Sequence, residues 1–256
     1  MTLPTIKKDI LLVDLTLYLR KHKTLIIPDV HIGYEEALNK QGILVPRFQF
    51  NDIIKRVEGI FLLLRKEKLP IERIVLIGDV KHEFGAISDE EWRNTLKFLD
   101  FLQKESPDMI LIKGNHDTML GPIANRRNLK LVDSVDLREV FICHGDKIHR
   151  IPPTAKTIII GHEHPAASIG DGIRSEVFKC FLKGTWKSRP AGKLLKRKLD
   201  LIVMPSLNLV TEGTDVLKEE LLSPFLQENL DAFEVFVVAQ PGEILYFKKI
   251  KDLRMK

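Results

Sequence analysis

The sequence predicts an α/β fold. Three observations carry this expectation. Short runs of β-branched residues alternate with longer segments of helical period. The apolar runs stop at Gly, Pro or a polar cluster. The 256 residues are enough to bury one large core. Hydrophobic residues make up 44% and charged residues 29% of the chain, with no linker-like or low-complexity tract, so a single domain over residues 1–256 is expected.

The elements follow in order. "ILLVDLTLYL" gives one or two strands bent near Asp14, and "TLIIPDVH" gives another. Residues 48–66 place Ile53, Ile54, Val57, Ile60, Phe61 and Leu64 on one helical face, with Phe48 and Phe50 also expected in the core. "RIVLIGDV" is a strand, and "SDEEWRNTLKFLDFLQKE" is a helix with Ser88 as N-cap and Glu91 at the capping-box position. "DMILIKGNHD", "REVFICHGD" and "KTIIIGHEHP" are three more strands with abrupt polar ends. After residue 170 come the strands "RSEVFKCFLKG", "LDLIVMPS", "FEVFVVAQ" and "EILYFKKI", with a helix expected in "TDVLKEELLSPFLQ". These late strands would build a second sheet packed on the first.

Composition excludes several classes. Asp9 and Asp14 interrupt the hydrophobic N-terminal stretch, and no small-residue cleavage site follows, so a signal peptide is not expected. No window is apolar enough for a spanning helix, and a cytoplasmic protein without membrane association is expected. Cys143 and Cys180 stand in no zinc-finger or CxxC spacing, which points to reduced, buried thiols. The net charge of +5 permits an acidic partner without requiring one. The oligomeric state stays open, a homodimer included.

The polar strand ends carry the chemistry. They are "PDVH" (Asp29, His31), "GDVKH" (Asp79, His82), "GNHD" (Asn115, His116, Asp117), "CHGD" (His144) and "GHEH" (His162, His164). In open α/β sheets, sites form at the carboxyl ends of strands, so all five clusters can meet on one rim. Any one of these histidines alone would more often be structural, but five ordered clusters at strand ends argue for a shared site. Carboxylate, amide and imidazole donors without thiolate suit Mn²⁺, Fe²⁺, Zn²⁺ or Ni²⁺, Mn²⁺ being the first expectation. The donors exceed the needs of one ion. Two ions about 3.5–4 Å apart would clamp a phosphoryl group and activate water for in-line attack on it.

The ordered series DxH, GDxxH, GNHD, HG and GHxH resembles the calcineurin-like metallophosphoesterase superfamily. Three further stretches, "DVHIGYEEALNKQGILVP", "GHEHPAASIGDGIRSEVFKCFLKG" and "PSLNLVTEG", are similar to its ICC-like branch, whose bacterial members are associated with a ligase in DNA repair. The resemblance implies a four-layer α/β/β/α sandwich of two mixed sheets. It also implies that Asp29, His31 and His164 bind one ion, that Asn115, His144 and His162 bind the other, and that Asp79 bridges them. It casts His116 as the catalytic residue that stabilises the transition state or protonates the leaving oxygen, with Asp117 orienting it. His82 stands where many members have Asp or Asn, and positioning of substrate is the role considered for it.

The run "KGTWKSRPAGKLLKRK" holds no acidic residue. Charge runs are usually solvated faces. The functional alternative is a phosphate-contacting patch beside the metal site, using Lys183, Lys187, Arg189, Lys196, Arg197 and Lys198, with Trp186 stacking on an unpaired base. His22 and His149 are given no role. The expected activity is a metal-dependent phosphodiesterase, with single-stranded DNA or another nucleic acid as the macromolecular substrate and an endonuclease as one form. The alternatives are a phosphoesterase for cyclic or dinucleoside phosphates and a non-catalytic scaffold on the same fold.

Overall fold

The computed structural model describes residues 3–84, 87–170, 174–187 and 198–254. The chain opens with β1 (Thr5–Lys7), β2 (Ile10–Val13), β3 (Thr16–Leu19) and β4 (Thr24–Ile27), followed by α1 (Tyr34–Lys40) and α2 (Gln49–Lys66). Next come β5 (Arg73–Leu76), α3 (Asp89–Glu105), β6 (Met109–Ile112), α4 (Leu120–Arg126), β7 (Lys130–Val132), β8 (Ser134–Asp136), β9 (Val140–Cys143) and β10 (Thr157–Ile160). The last part holds β11 (Pro165–Gly170), β12 (Ser175–Lys187), β13 (Lys198–Val203), β14 (Thr214–Asp215), β15 (Glu234–Gln240), β16 (Glu243–Lys249) and α5 (Ile250–Arg254).

The strands form two mixed sheets. The first runs β1 to β7 in order, with β4, β5, β6 and β7 parallel. In the second, β9, β10 and β13 are parallel and β12 is antiparallel to β13. Alternation on β9 and β10 defines its two faces: Ile142 and Ile159 join the core shared with the first sheet. Phe141, Cys143, Ile158 and Ile160 face a second apolar cluster on the other side. Val235 and Val237 of β15, with Phe225 and Leu226, complete that cluster.

Both long helices form where the periodicity predicts them. Helix α2 buries Ile53, Val57, Ile60, Phe61 and Leu64, while Phe48 lies outside its first turn and is 64% exposed. Ser88 caps α3 by accepting from the Glu91 amide at 3.1 Å, a bond whose loss costs about 1 kcal/mol. Glu91 does not complete the capping box; its carboxylate is buried and accepts instead from the amides of His82 and Glu83, at 2.8 and 3.0 Å.

The helix expected over residues 214–227 does not form. Asp215 pairs with β11 and accepts from the Leu217 amide at 3.1 Å, a local bond that competes with helix. Glu163 takes the amides of Leu222 and Ser223, each at 2.8 Å, and Pro224 can donate nothing to a helical ladder. The outer layer over this part of the second sheet is therefore turn-rich. Cys143 and Cys180 are buried free thiols, and among the described residues no helix is long and apolar enough to cross a membrane.

Candidate metal centre

The parallel strands point their carboxyl ends at one place. Asp29 follows β4, Asp79 follows β5, and Asn115 follows β6 in the first sheet; His144 follows β9, and His162 and His164 follow β10 in the second. The chain must turn at once after each strand. Four of the predicted ligands, His31 (φ 52°), Asp79 (37°), His162 (62°) and His164 (50°), adopt left-handed backbone. For non-glycine residues this costs of order 1–3 kcal/mol each and persists only where surrounding bonds hold it. Here the Asp79 carbonyl accepts from the amides of Val30 (3.1 Å) and His31 (2.8 Å), tying the first two loops together.

Ligand atoms gather in three adjoining groups among the described residues: Asp29 with His31 and His164, Asp79 with His144 and His162, and His31 again with His82 and His116. In the first, the Nε2 atoms of His31 and His164 are 3.3 Å apart, and Asp29 Oδ2 is 3.7 Å from His164 Nε2. In the second, His144 Nε2 lies 2.9 Å from Asn115 Oδ1, 3.2 Å from His162 Nδ1 and 3.3 Å from Asp79 Oδ2. Asp79 Oδ2 is also 3.8 Å from His31 Nε2, so this carboxylate stands between these two groups.

The residues fit divalent ions. Two ligands about 2.1 Å from one ion lie about 3.0–3.4 Å apart at ordinary coordination angles, which is the spacing of the imidazole pairs. Asp29 Oδ1 and His144 Nδ1 are buried 3.1 Å apart as an ion pair without hydrogen-bond geometry, and a single ring proton cannot serve the acceptors crowded around His144 Nε2. Burial and the neighbouring His164 push His31 well below the usual imidazole range, and burial beside His144 lowers His162. Burial would raise Asp29, yet His144 and His164 hold it well below the ordinary carboxylate range. His144 is itself held well above its usual value by Asp29 and Asp79, which outweigh its burial. His31 and His162 thus offer lone pairs and Asp29 an anionic oxygen, while His144 would have to exchange its proton for an ion.

His116 adjoins the first group, its ring centroid 4.9 Å from that of His31. It is oriented by a residue other than the one expected: His116 Nδ1 bonds the His82 carbonyl. Asp117 is fully buried and accepts from the amides of Val80 (3.2 Å) and Gly114 (3.1 Å), so it pins two loops rather than the imidazole. Burial and the nearby Asp79 raise Asp117 to about 7. His82 Nδ1 is 3.3 Å from His31 Nδ1, which brings His82 to the centre; burial beside His116 pushes it down to about 4.

Sequence reasoning missed several neighbours. Lys81 is fully buried and donates to the carbonyls of Glu83 and His116. Phe84 lies over the His116 ring at 3.6 Å between centroids, and Tyr34 meets His82 edge-on at 4.6 Å. A lysine inside "GDVKH" and a glutamate with two loop amides to hold have no spacing signature.

The described residues of the basic run lie elsewhere. Lys187 pairs with Lys198 in the β12/β13 register, while Ile160, the last residue before the GHEH cluster, pairs with Val203. At 3.3 Å per residue, Lys198 is about 20 Å along the strands from His162, at the opposite end of the sheet. Lys183 is paired with Glu234 at 2.8 Å. Trp186 is 6% exposed and packs against Phe225 in the second apolar cluster, so it offers no face to a base. Arg189, Lys196 and Arg197 lie outside the described residues.

Comparison with known proteins gives fold and family. Among solved structures, the nuclease MPE of Pseudomonas putida is 19% identical with a TM-score of 0.62, over 96% of this chain and 99% of that one. The phosphoesterase YfcE of E. coli is 12% identical (TM-score 0.37, 88% and 98% of the two chains). Vps29 of Chaetomium thermophilum is also 12% identical (TM-score 0.36, 88% and 95%). No curated protein matches. The first of these structures shares its fold with nearly the whole chain, and a family profile described as calcineurin-like phosphoesterase matches residues 22–229: the chain belongs to that family.

Proposed function

We propose that the chain is a metal-dependent phosphodiesterase that hydrolyses a nucleic-acid strand, as one domain with two divalent ions, Mn²⁺ first among them. The observation that carries the two-ion reading is Asp79, whose Oδ2 stands 3.8 Å from His31 Nε2 and 3.3 Å from His144 Nε2. Asp29, His31 and His164 would hold one ion, Asn115, His144 and His162 the other, with Asp79 shared. When bound, such a pair polarises a phosphoryl group and supplies a nucleophile from water near neutral pH.

The chain's own residues supply the rest. With Nδ1 donating to the His82 carbonyl, His116 keeps Nε2 for the proton that the leaving oxygen requires. Lys81, donating to the His116 carbonyl at 2.6 Å, fixes the backbone from which that ring projects. His82, neutral at pH 7, contributes hydrogen bonding rather than charge to substrate. The nucleic-acid part rests on the fold shared with a nuclease; the described basic residues do not support it, being remote from the centre.

The test is Mn²⁺-dependent cleavage of end-labelled single-stranded DNA, with bis-p-nitrophenyl phosphate as a base-free diester and Asp79→Ala prepared identically. Cleavage of both substrates by the wild type alone is expected. Turnover of the small diester without DNA cleavage would replace the nucleic-acid substrate by a small nucleotide ester, and near-normal activity of Asp79→Ala would sink the shared-carboxylate assignment.

A further inference from the structure

The segment between β13 and β14, residues 204–213, leads to all three ligands of the first group. The Leu207 amide donates to the Asp29 carbonyl at 2.7 Å, and where the segment runs into β14 the amide of that strand's first residue, Thr214, donates to the His164 carbonyl at 3.0 Å. Asn208 Oδ1 accepts from Gln49 Nε2 at 3.0 Å, and the same nitrogen lies 3.3 Å from the His31 carbonyl. Two of these ligands, His31 and His164, are left-handed and depend on such bonds to stay so. Among the described residues, no hydrogen bond runs from this segment to Asn115, His144 or His162.

One side chain ties the segment down. Lys179 projects from β12 and is only 6% exposed. Its Nζ donates to Ser206 Oγ (3.1 Å), the Thr211 carbonyl (2.7 Å) and the Glu212 carbonyl (3.2 Å), which uses all three hydrogens of an ammonium group. Burying an ammonium is costly, and an apolar residue would fill the space at lower cost. What the lysine adds is a fixed shape for the segment. "VFKCFLKG" and "PSLNLVTEG", two stretches with no catalytic side chain of their own, are joined by these bonds.

We infer that Lys179 is a positioning residue for the first ion alone, acting through the 204–213 segment on Asp29, His31 and His164. This rests on the two-ion reading. Ligand atoms must be placed to within about 0.2 Å, and loss of an outer support typically weakens binding about 10- to 100-fold.

The experiment is calorimetric titration of the metal-free protein with Mn²⁺, with circular dichroism to confirm folding. Wild type, Lys179→Met and Asn208→Ala are compared, and Asn115→Ala marks the second ion. The wild type should bind two ions. In Lys179→Met one ion should weaken about 10- to 100-fold and the other stay within about threefold. Asn208→Ala should weaken the same ion, and Lys179→Met combined with Asn115→Ala should leave no tight site. Both affinities unchanged, or both reduced alike, in folded Lys179→Met would overturn the inference. Should that variant fail to fold, unchanged affinities in Asn208→Ala would overturn it. A wild type binding fewer than two ions would remove the two-ion reading itself, and the selectivity with it.

Discussion

Gly161 separates β10 from His162 and makes no bond to an ion, yet adding one methyl there should empty the first ion position. A Cβ at Gly161 would overlap Asp29 Oδ2 outright and stand 3.1 Å from Asp29 Cγ, with Ile77 at 3.4 Å on its other side. Ordinary contact begins at 3.4 Å, so the carboxylate oxygen must retreat by more than about 1 Å. Metal–oxygen distances tolerate about 0.2 Å, several times less than that retreat. The displaced carboxylate also loses its bond from the His162 amide, now 3.1 Å. On the proposed two-ion reading, Gly161→Ala is therefore expected to bind one Mn²⁺ where two are expected in the wild type, measured by elemental analysis after gel filtration, with diesterase activity down at least about 100-fold. Gly59→Ala is the matched control: it lies within α2 with nothing inside 4 Å of the added Cβ, and should keep two ions and gain about 0.5–1 kcal/mol of stability. Two tightly held ions in Gly161→Ala would refute the placement of Asp29 as a ligand.

Three further outcomes are expected. His116→Ala should lose about 10²–10⁴ in kcat while retaining both ions, its Nε2 acting on the leaving oxygen while Nδ1 is committed to the His82 carbonyl; since His116 also adjoins His31 and His82, loss of an ion on elemental analysis would make it a ligand instead. Lys187→Gln with Lys198→Gln should leave kcat/KM for bis-p-nitrophenyl phosphate within about twofold, both residues being about 20 Å from the centre, and a large fall would contradict the strand register. Burial pushes Lys179 down to about 8 from 10.5, so between those values the unfolded chain holds a proton that the folded chain has released. Stability should then rise with pH across this window by about 3 kcal/mol more in the wild type than in Lys179→Met, the penalty for the buried charge being fully present below pH 8; parallel urea-denaturation profiles for the two proteins would refute it.

What was legible in the sequence was whatever has a period or an order. Strand alternation and the apolar stripe of α2 gave the two sheets and the long helices, because burial on one face imposes those spacings. The five polar clusters were legible because each follows directly on its strand, and parallel strands carry their ends to one rim whatever the register of the intervening helices. Periodicity failed where side chains outcompete the backbone: residues 214–227 have helical spacing, but Asp215 and Glu163 capture the amides that a helix would need.

The supports of the centre were illegible for a different reason. They act on main-chain groups, which carry no residue identity. Asp29, His31 and His164 receive their bonds at carbonyls, from Leu207, Gln49 and Thr214, so nothing in those three partners needs a recognisable type except Gln49. Asp117 was assigned to the imidazole beside it in sequence, whereas the fold spends it on the amides of Val80 and Gly114. Glu91 marked a helix start correctly through its amide, while its carboxylate serves the loop that carries His82. Candidate ligands can thus be listed from spacing, but the left-handed backbone that aims four of them has to be held by bonds from distant segments. Those bonds are where substitutions without any metal-binding chemistry should alter metal binding.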